Sequence, residues 1–464
     1  MLRDSWPQSR HQSHQKNKIC LCFCLGFILS AILTMASCGL AYYIWNTWKT
    51  DNALPASLAA AEETNATFPE STSSDPVQNS AAVTESTTLS LPSTTDQNQL
   101  PSRNCSKRII AYYAPDDSEE ISKSQLSKLT HLILTPEVTM KNGSLSFVHD
   151  SGEFKFARAA KIAREMSEPP VVLFSFLAIQ HYGVPFSDIL TDIFKTRALI
   201  DGIVSFIQEY QLDGVDIYLE SVAAHNDLLF LFSRILRRLL TRLATFVGRK
   251  TPYIVSGLVM TGMPPDNFDE ISKHFDFLTI STISHYFPRP SFPAHEVGPS
   301  SPLYSKLAAN PNNNVDYVMK NFSCLIGQSN KLNVMVQFGG NYWKNVITPV
   351  NSSDTLWMTA EYVNGKIEGG QLTRAQIQQF NSTVLWNDDS KTPYIWIPED
   401  RIYIVFENER SLEEKMKYIG SKNIGGIAVF HAPIGLSDAT MFDVLGKNQV
   451  CSGNDETDML YKCD

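Results

Sequence analysis

Beyond Cys105 the chain alternates two patterns. Short apolar runs, RIIAYYA, LTHLILT, VVLFSFLA, LDGVDIYL, YIVSGLVM, FDFLTIST, LNVMVQF and GGIAVFH, are separated by stretches with apolar residues at helical spacing. Among the latter are Phe154 to Met166, Arg197 to Tyr210, Asn226 to Phe246 and Ser411 to Ile419. Runs rich in Val, Ile, Leu and Phe, each followed by a helix, predict a parallel sheet buried on both faces. Eight such repeats predict an α/β fold closed as a (β/α)8 TIM-type barrel over residues 105–450, within the roughly 200 to 400 residues such barrels occupy. A doubly wound open sheet is the competing arrangement, but it brings a glycine-rich loop after its first strand, and RIIAYYAPDD has no glycine. Residues 341–398, rich in Trp, Thr, Asn and Gly, break the alternation and predict an inserted subdomain. The polar tail, 451–464, hangs off the barrel unless Cys451 and Cys463 tie it down.

The N-terminal part has a different character. Residues 19–45, from Ile19 to Trp45, contain no charged side chain, and as a helix rising about 1.5 Å per residue they exceed a hydrocarbon core of roughly 30 Å. Arg3, Arg10, Lys16 and Lys18 precede this segment and Lys49 follows it, so the positive-inside rule predicts a cytoplasmic tail, 1–18, and a single-pass type II signal anchor. A cleaved signal peptide ending near Ala36 and Cys38 is the alternative, although such apolar regions usually run only about 7 to 15 residues. Residues 46–104 are rich in Ser, Thr and Pro and poor in large apolar side chains, which predicts a disordered stalk.

Sequons at Asn65, Asn104, Asn142, Asn321, Asn351 and Asn381 all follow the apolar segment, as expected of a glycosylated lumenal or extracellular part. Cys105, Cys324, Cys451 and Cys463 lie in the same part and allow two disulfides in three pairings. Cys20, Cys22 and Cys24 in the apolar segment are acylation candidates or simply small apolar residues of the span. The net charge of -9 comes from scattered acids, and no long basic run is present, so no nucleic-acid partner is expected.

The most informative stretch runs from Asp213 to Glu220. A strand of period two sends Asp216, Tyr218 and Glu220 to one face. Burying a carboxylate costs several kcal/mol unless it is paired, so acids aimed into the C-terminal end of a barrel strand mark a candidate active site. Acids capping a helix or reaching solvent at the strand end are the plain structural reading of the same pattern. No His or Cys stands at ligand spacing beside them, so neither a metal nor a cofactor is expected.

This stretch resembles the fourth-strand signature Asp-x-x-Asp-x-Asp-x-Glu of glycoside hydrolase family 18, the chitinase family. IIAYYAP, LTHLILT, FDFLTIST and KYIGSKNIGGIAVF are similar to its first, second, sixth and closing elements. The inserted segment, with WNDDSKTPYIW, looks like the small α+β subdomain that many chitinases carry between strand 7 and helix 7. The resemblance implies substrate-assisted cleavage of β-1,4-linked N-acetylglucosamine polymers, in which the substrate's acetamido group attacks the anomeric carbon and Glu220 is the proton donor. Asp213 and Asp216 are the matching supporting acids and Tyr112 and Phe430 the matching pocket aromatics; Trp343, with Trp357, Trp386 and Trp396, is a candidate for sugar stacking or for the aromatic core that an inserted subdomain needs.

Departures from the family pattern concentrate in the same pocket. Tyr218 replaces the carboxylate that orients the acetamido group, and a phenol with an ordinary pKa of about 10 carries no charge near neutrality. Ser-x-Gly-Gly becomes Ser175, Phe176, Leu177 and Ala178; Met-x-Tyr-Asp becomes Ser281, Thr282, Ile283 and Ser284; Tyr-Gly-Arg becomes Gly339, Gly340 and Asn341; and the floor Trp becomes Phe430. The expectation is a membrane-anchored chitinase-like protein with impaired catalysis, binding chitin, another N-acetylglucosamine-containing glycan or an unidentified protein partner. An active chitinase is the alternative, and a scaffold that binds no sugar is the third reading.

Overall fold

A computed structural model of the chain describes residues 107–115, 120–141, 144–175, 186–219, 226–260, 267–283, 296–299, 301–305, 311–351, 354–363, 366–430, 439–447 and 459–463. The expected cytoplasmic tail, membrane span and stalk, the sequons Asn65, Asn104 and Asn142, and Glu220 lie outside the described residues. Among the described residues no helix is long and apolar enough to cross a membrane.

Eight parallel strands close into a barrel in chain order: β1 (Arg108–Tyr113), β2 (His131–Leu134), β3 (Val171–Ser175), β4 (Gly214–Leu219), β5 (Ile254–Val259), β6 (Phe277–Ile280), β7 (Leu332–Val336) and β8 (Gly426–Val429). Each coincides with one of the eight apolar runs. Each is followed by a helix: α1 (Lys123–Leu126), α2 (Asp150–Arg164), α3 (Ile193–Glu209), α4 (Asn226–Phe246), α5 (Phe268–Ser272), α6 (Val315–Ile326), α7 (Glu409–Ser421) and α8 (Ala439–Lys447). Polar side chains set several of the starts. Ser122 and Gln125 form a capping box at α1, Asp192 accepts from the amides of Phe194 and Lys195 at α3, and Asn314 accepts from Tyr317 at α6.

Alternation along the strands divides the barrel into two cores. Ala111, Leu132, Val172, Val215, Ile217, Val255, Leu278, Val334 and Ile427 pack outward against Phe156, Ile203, Phe232, Leu236, Phe322 and Met416 of the helices. The opposite parity, Ile110, Tyr112, Ile133, Leu173, Tyr218, Leu258, Phe277, Met335, Ala428 and Phe430, fills the lumen together with Ile283. The interior is therefore a packed core, and polar side chains in it stand out.

Arg108 closes the N-terminal end of the lumen. Its Nε donates to Asn333 Oδ1 at 2.9 Å, its guanidinium lies 5.0 Å from the Phe277 ring centre, and His131 meets the same ring edge-on. Burial beside this cation pushes the His131 imidazole down to about 3, so it is neutral in the folded barrel. A side chain at Gly426 would place its Cβ 2.2 Å from the Arg108 carbonyl oxygen, which is why β8 can approach β1 so closely there.

The insertion forms a five-stranded antiparallel sheet, in the order 369–372, 340–343, 402–406, 392–397 and 385–387, beside a three-stranded sheet of 346–351, 354–360 and 296–297. It runs beyond the Pro398 boundary read from the sequence, because Ile402–Phe406 pairs with Gly340–Trp343 rather than with the barrel. Its residues belong to the subdomain through pairing that no local signal announces. After the insertion, a buried ion pair, Lys415 Nζ to Glu407 Oε1 at 2.7 Å with Ser411 on the other oxygen, fixes the start of α7.

The chain's last described residues are held rather than hanging free. A disulfide joins Cys324 of α6 to Cys463, Tyr461 hydrogen-bonds Tyr418 of α7, and Lys422 lies over the Tyr461 ring at 5.1 Å. Of the three pairings left open by the sequence, this selects the one containing Cys324–Cys463. Cys105 and Cys451 lie outside the described residues.

Candidate functional site

Strand β4 positions the candidate site. Hydrogen-bonded between β3 and β5, it sets Ser175 beside Asp216, Asp216 beside Ser256, and Tyr218 beside Leu258. The Asp216 carboxyl is completely buried. Oδ1 accepts from Ser256 Oγ at 2.7 Å and from Tyr112 Oη at 3.3 Å, whereas Oδ2 has no hydrogen-bond partner among the described residues. The Ser175 hydroxyl stands next to the carboxyl but outside bonding geometry, and Thr279 Oγ1 is likewise unbonded. Burial pushes the Asp216 carboxyl up to about 6, against the lowering effect of the Ser256, Ser175 and Tyr112 hydroxyls. Burial, and then the nearby Asp216 carboxylate, raise the Tyr112 phenol far above its ordinary range, so it stays a donor.

A ring of hydroxyls around one uncharged-or-charged carboxyl is thus built into an otherwise apolar lumen. Each buried polar atom left without a partner costs about 1 to 3 kcal/mol, and native structures keep few of them without a functional reason. Ser256 and Thr279 were not singled out from the sequence. The available signal was their lumen-facing parity within YIVSGLVM and FDFLTIST, which they share with the apolar Ile254, Leu258, Met260 and Phe277.

Tyr218 lies two residues beyond Asp216 on the same face, is 8% exposed, and belongs to the lumen cluster with Tyr112, Ile283 and Phe430. Phe430 follows β8 and tilts against Tyr112 with ring centres 5.8 Å apart. Ile283 and Phe430 are both buried, so apolar bulk occupies the C-terminal end of the lumen. Thr282 points away and donates to the Met335 carbonyl at 2.6 Å. Glu220, Phe176, Leu177 and Ser284 are outside the described residues, but Glu220 directly follows Leu219, the last residue of β4.

Two expected site residues take other places. Asp213 precedes β4 at the opposite mouth of the barrel, three residues or about 10 Å of strand from Asp216. Its Oδ2 accepts from the Val172 amide at 2.8 Å and its Oδ1 pairs with Arg249, which lies 4.6 Å over the Tyr253 ring. That geometry ties β3, β4 and the turn before β5 together, away from the Asp216 carboxyl. Trp343, expected as a sugar-stacking residue, is 1% exposed and stacks on Tyr403 at 5.9 Å inside the insertion's own core. It is corrected to a core residue. Trp357 is buried in the same core, Trp396 packs against it, and Trp386 is covered by Arg410 at 3.8 Å.

Among the described residues no group of three or more His, Cys, Asp or Glu side chains is arranged to hold a metal ion. The arrangement gathers hydroxyls and one titratable carboxyl beneath the apolar side chains at the C-terminal end of the lumen.

Comparison with known proteins agrees with this architecture. A 47-residue stretch is 34% identical to chitinase B of Serratia marcescens, covering 10% of this chain and 9% of that enzyme, so the chain spans only a small fraction of that curated relative's length. The class V chitinase of Nicotiana tobaccum superposes with a TM-score of 0.63 at 14% identity, over 75% of this chain and 100% of that one. A family 18 N-acetylglucosaminidase from Paenibacillus barengoltzii gives 0.59 at 18% identity, over 74% and 100%. At these identities the superpositions establish the fold. The family model described as Glycosyl hydrolases family 18 matches residues 108–433, the full extent of the barrel from β1 to just past β8, and the chain belongs to that family.

Proposed function

We propose that the barrel binds an N-acetylglucosamine-containing glycan and that its capacity to hydrolyse that glycan is impaired. The observation that carries this reading is Tyr218, buried on the lumen face of β4 at the position where the family pattern has a carboxylate. A neutral phenol supplies no negative charge to the cationic intermediate formed when the acetamido group attacks. Loss of one pre-aligned stabilising group in an enzyme typically costs about 100 to 1,000 in rate. Binding is supported by the retained Tyr112 and Phe430 and by the hydroxyl ring with its unbonded buried oxygens. A tobacco class V chitinase of the same fold has been captured with NAG4. The apolar segment 19–45 and the sequons support a type II membrane protein with the barrel outside the cytoplasm.

An active enzyme is the second reading, favoured by Asp216. A buried carboxyl with a pKa of about 6 is retained on the lumen face of the strand that leads to Glu220, as a working acid-base site would keep it.

Calorimetric titration with tetra-N-acetylchitotetraose, beside turnover of a fluorogenic chito-oligosaccharide, tests the proposal. Native chain and Glu220→Gln are expected to bind alike, with native turnover close to the uncatalysed background. Turnover that Glu220→Gln abolishes would establish the enzyme, and lack of any binding would leave the barrel a scaffold.

A further inference from the structure

The outer surface of α4 holds an arrangement that the barrel does not use. Leu229, Phe232, Leu236, Leu240 and Leu243 form the buried face of this helix. On the opposite side Arg234, Arg238, Arg242 and Phe246 follow one another at four-residue intervals, all exposed. That spacing aligns them on one ridge about 18 Å long. Phe246 is 56% exposed.

The three arginines make no ion pair or hydrogen bond among the described residues. Arg237 of the same helix shows what a structural arginine does here: it donates to the Tyr253 and His274 carbonyls and to Asp276. Exposed cations on other helices of the barrel find acids, as in Lys161–Glu165, Arg197–Asp201 and Lys417–Glu414. From Leu228 to Lys250 the chain has no Asp or Glu at all, although it holds 48 of them overall. Like charges four residues apart destabilise a helix by roughly 0.2 to 0.5 kcal/mol per pair, and the ridge contains two such pairs with no internal compensation.

We propose that this ridge is a binding surface for a linear polyanionic polysaccharide, one carrying sulfate or carboxylate groups along a pyranose chain. Guanidinium groups pair with such oxyanions through two parallel hydrogen bonds, and an exposed aromatic ring at the end of the row offers a face to a sugar ring. A single row of charges fits a linear polymer laid along the helix axis. An acidic lipid surface fits less well, because a helix bound in that way inserts its apolar face, and the apolar face of α4 is buried against the barrel. The ridge lies on the outside of the barrel wall, and the proposal does not depend on glycan binding in the lumen.

The test uses the full chain with fluorescein-labelled heparin as probe, followed by anisotropy across a salt series. Binding is expected to weaken steeply with salt. Replacing Arg234, Arg238 and Arg242 together by Gln should lower the slope of log affinity against log salt by about 3, roughly 1 per cation. Affinity at low salt should fall by at least about tenfold, with a melting temperature that is not lowered. Phe246→Ala should weaken binding while leaving the slope unchanged. Equal binding by the triple variant would overturn the proposal, as would displacement of heparin by tetra-N-acetylchitotetraose. Loss of binding to phosphatidylserine vesicles in a protein that ignores heparin would also overturn it, assigning the ridge to a lipid surface.

Discussion

Replacing Asp216 by Asn is expected to stabilise the barrel by about 3 kcal/mol at pH 7 and to leave stability at pH 4 nearly unchanged. The folded carboxyl titrates near 6 against an ordinary value of 3.8. A pKa raised on folding means that the native state holds the proton more tightly, so the stabilisation is fully present below pH 3.8 and disappears as pH rises through 6. A displacement of about 2 pH units corresponds to about 3 kcal/mol at about 1.4 kcal/mol each. The measurement is the difference between native and variant unfolding free energies from denaturant titrations at several pH values.

The raw native curve does not isolate this effect, because His131 opposes it. Its imidazole is pushed down to about 3, so its contribution to stability is lost as pH falls below 6.5. His131 sits at the other end of the lumen and cancels in the difference as far as the two sites act independently. A flat difference would show that Asp216 is ionised without penalty, and the unbonded Oδ2 would then have a partner in solution. A stabilised variant would show that the chain keeps a carboxyl in its core at a standing cost. Such a cost is expected of a binding or catalytic group rather than a structural one.

The barrel was legible in the sequence because a closed parallel sheet is buried on both faces. Its strands then become near-continuous apolar runs, and RIIAYYA or GGIAVFH needs no partner information to be recognised. The lumen-facing direction of Asp216 and Tyr218 was legible for an equally local reason, the period of two. What could not be read locally was set by register between distant segments. Ser256 becomes a ligand of Asp216 only because β5 aligns with β4 at that one step, and a shift of one residue would replace it with a wall-facing neighbour.

The place of Asp213 was hidden for a related reason. Its spacing fits the family signature, but it lies before the first residue of β4, on the far side of the barrel from the strand's C-terminal end, and Arg249 claims it. Trp343 is at the start of the insertion, where an exposed or a buried ring gives the same sequence. Only the pairing of Gly340–Trp343 with Ile402–Phe406 puts it in a core. The hairpin of Val138–Lys141 and Ser144–Phe147 between β2 and α2 was also missed, each arm being too short and too polar to stand out from a loop.

Tyr218→Asp is expected to raise chito-oligosaccharide turnover by about 100-fold over the native chain, with the gain abolished by adding Glu220→Gln. The argument begins with space. Removing the phenol from a lumen shared with Tyr112, Ile283 and Phe430 opens room beside Asp216 on the face that β4 turns inward. A carboxyl at 218 starts one strand repeat, about 6.6 Å, from Asp216, close enough in a buried lumen for the two charges to interact and for the pair to titrate as a unit. In its charged form it supplies what the phenol lacks, a negative acceptor for the acetamido nitrogen and for the positive charge that develops as the ring closes. The same change should lower stability at neutral pH, because it buries a second carboxyl and leaves a cavity. Binding of tetra-N-acetylchitotetraose, measured in parallel, separates a folded barrel from a collapsed one. A variant that binds but does not turn over would move the loss of catalysis to Ile283, Ser281 and Asn341. High native turnover would show that Tyr218 never impaired the chemistry, with Glu220 and Asp216 sufficient by themselves.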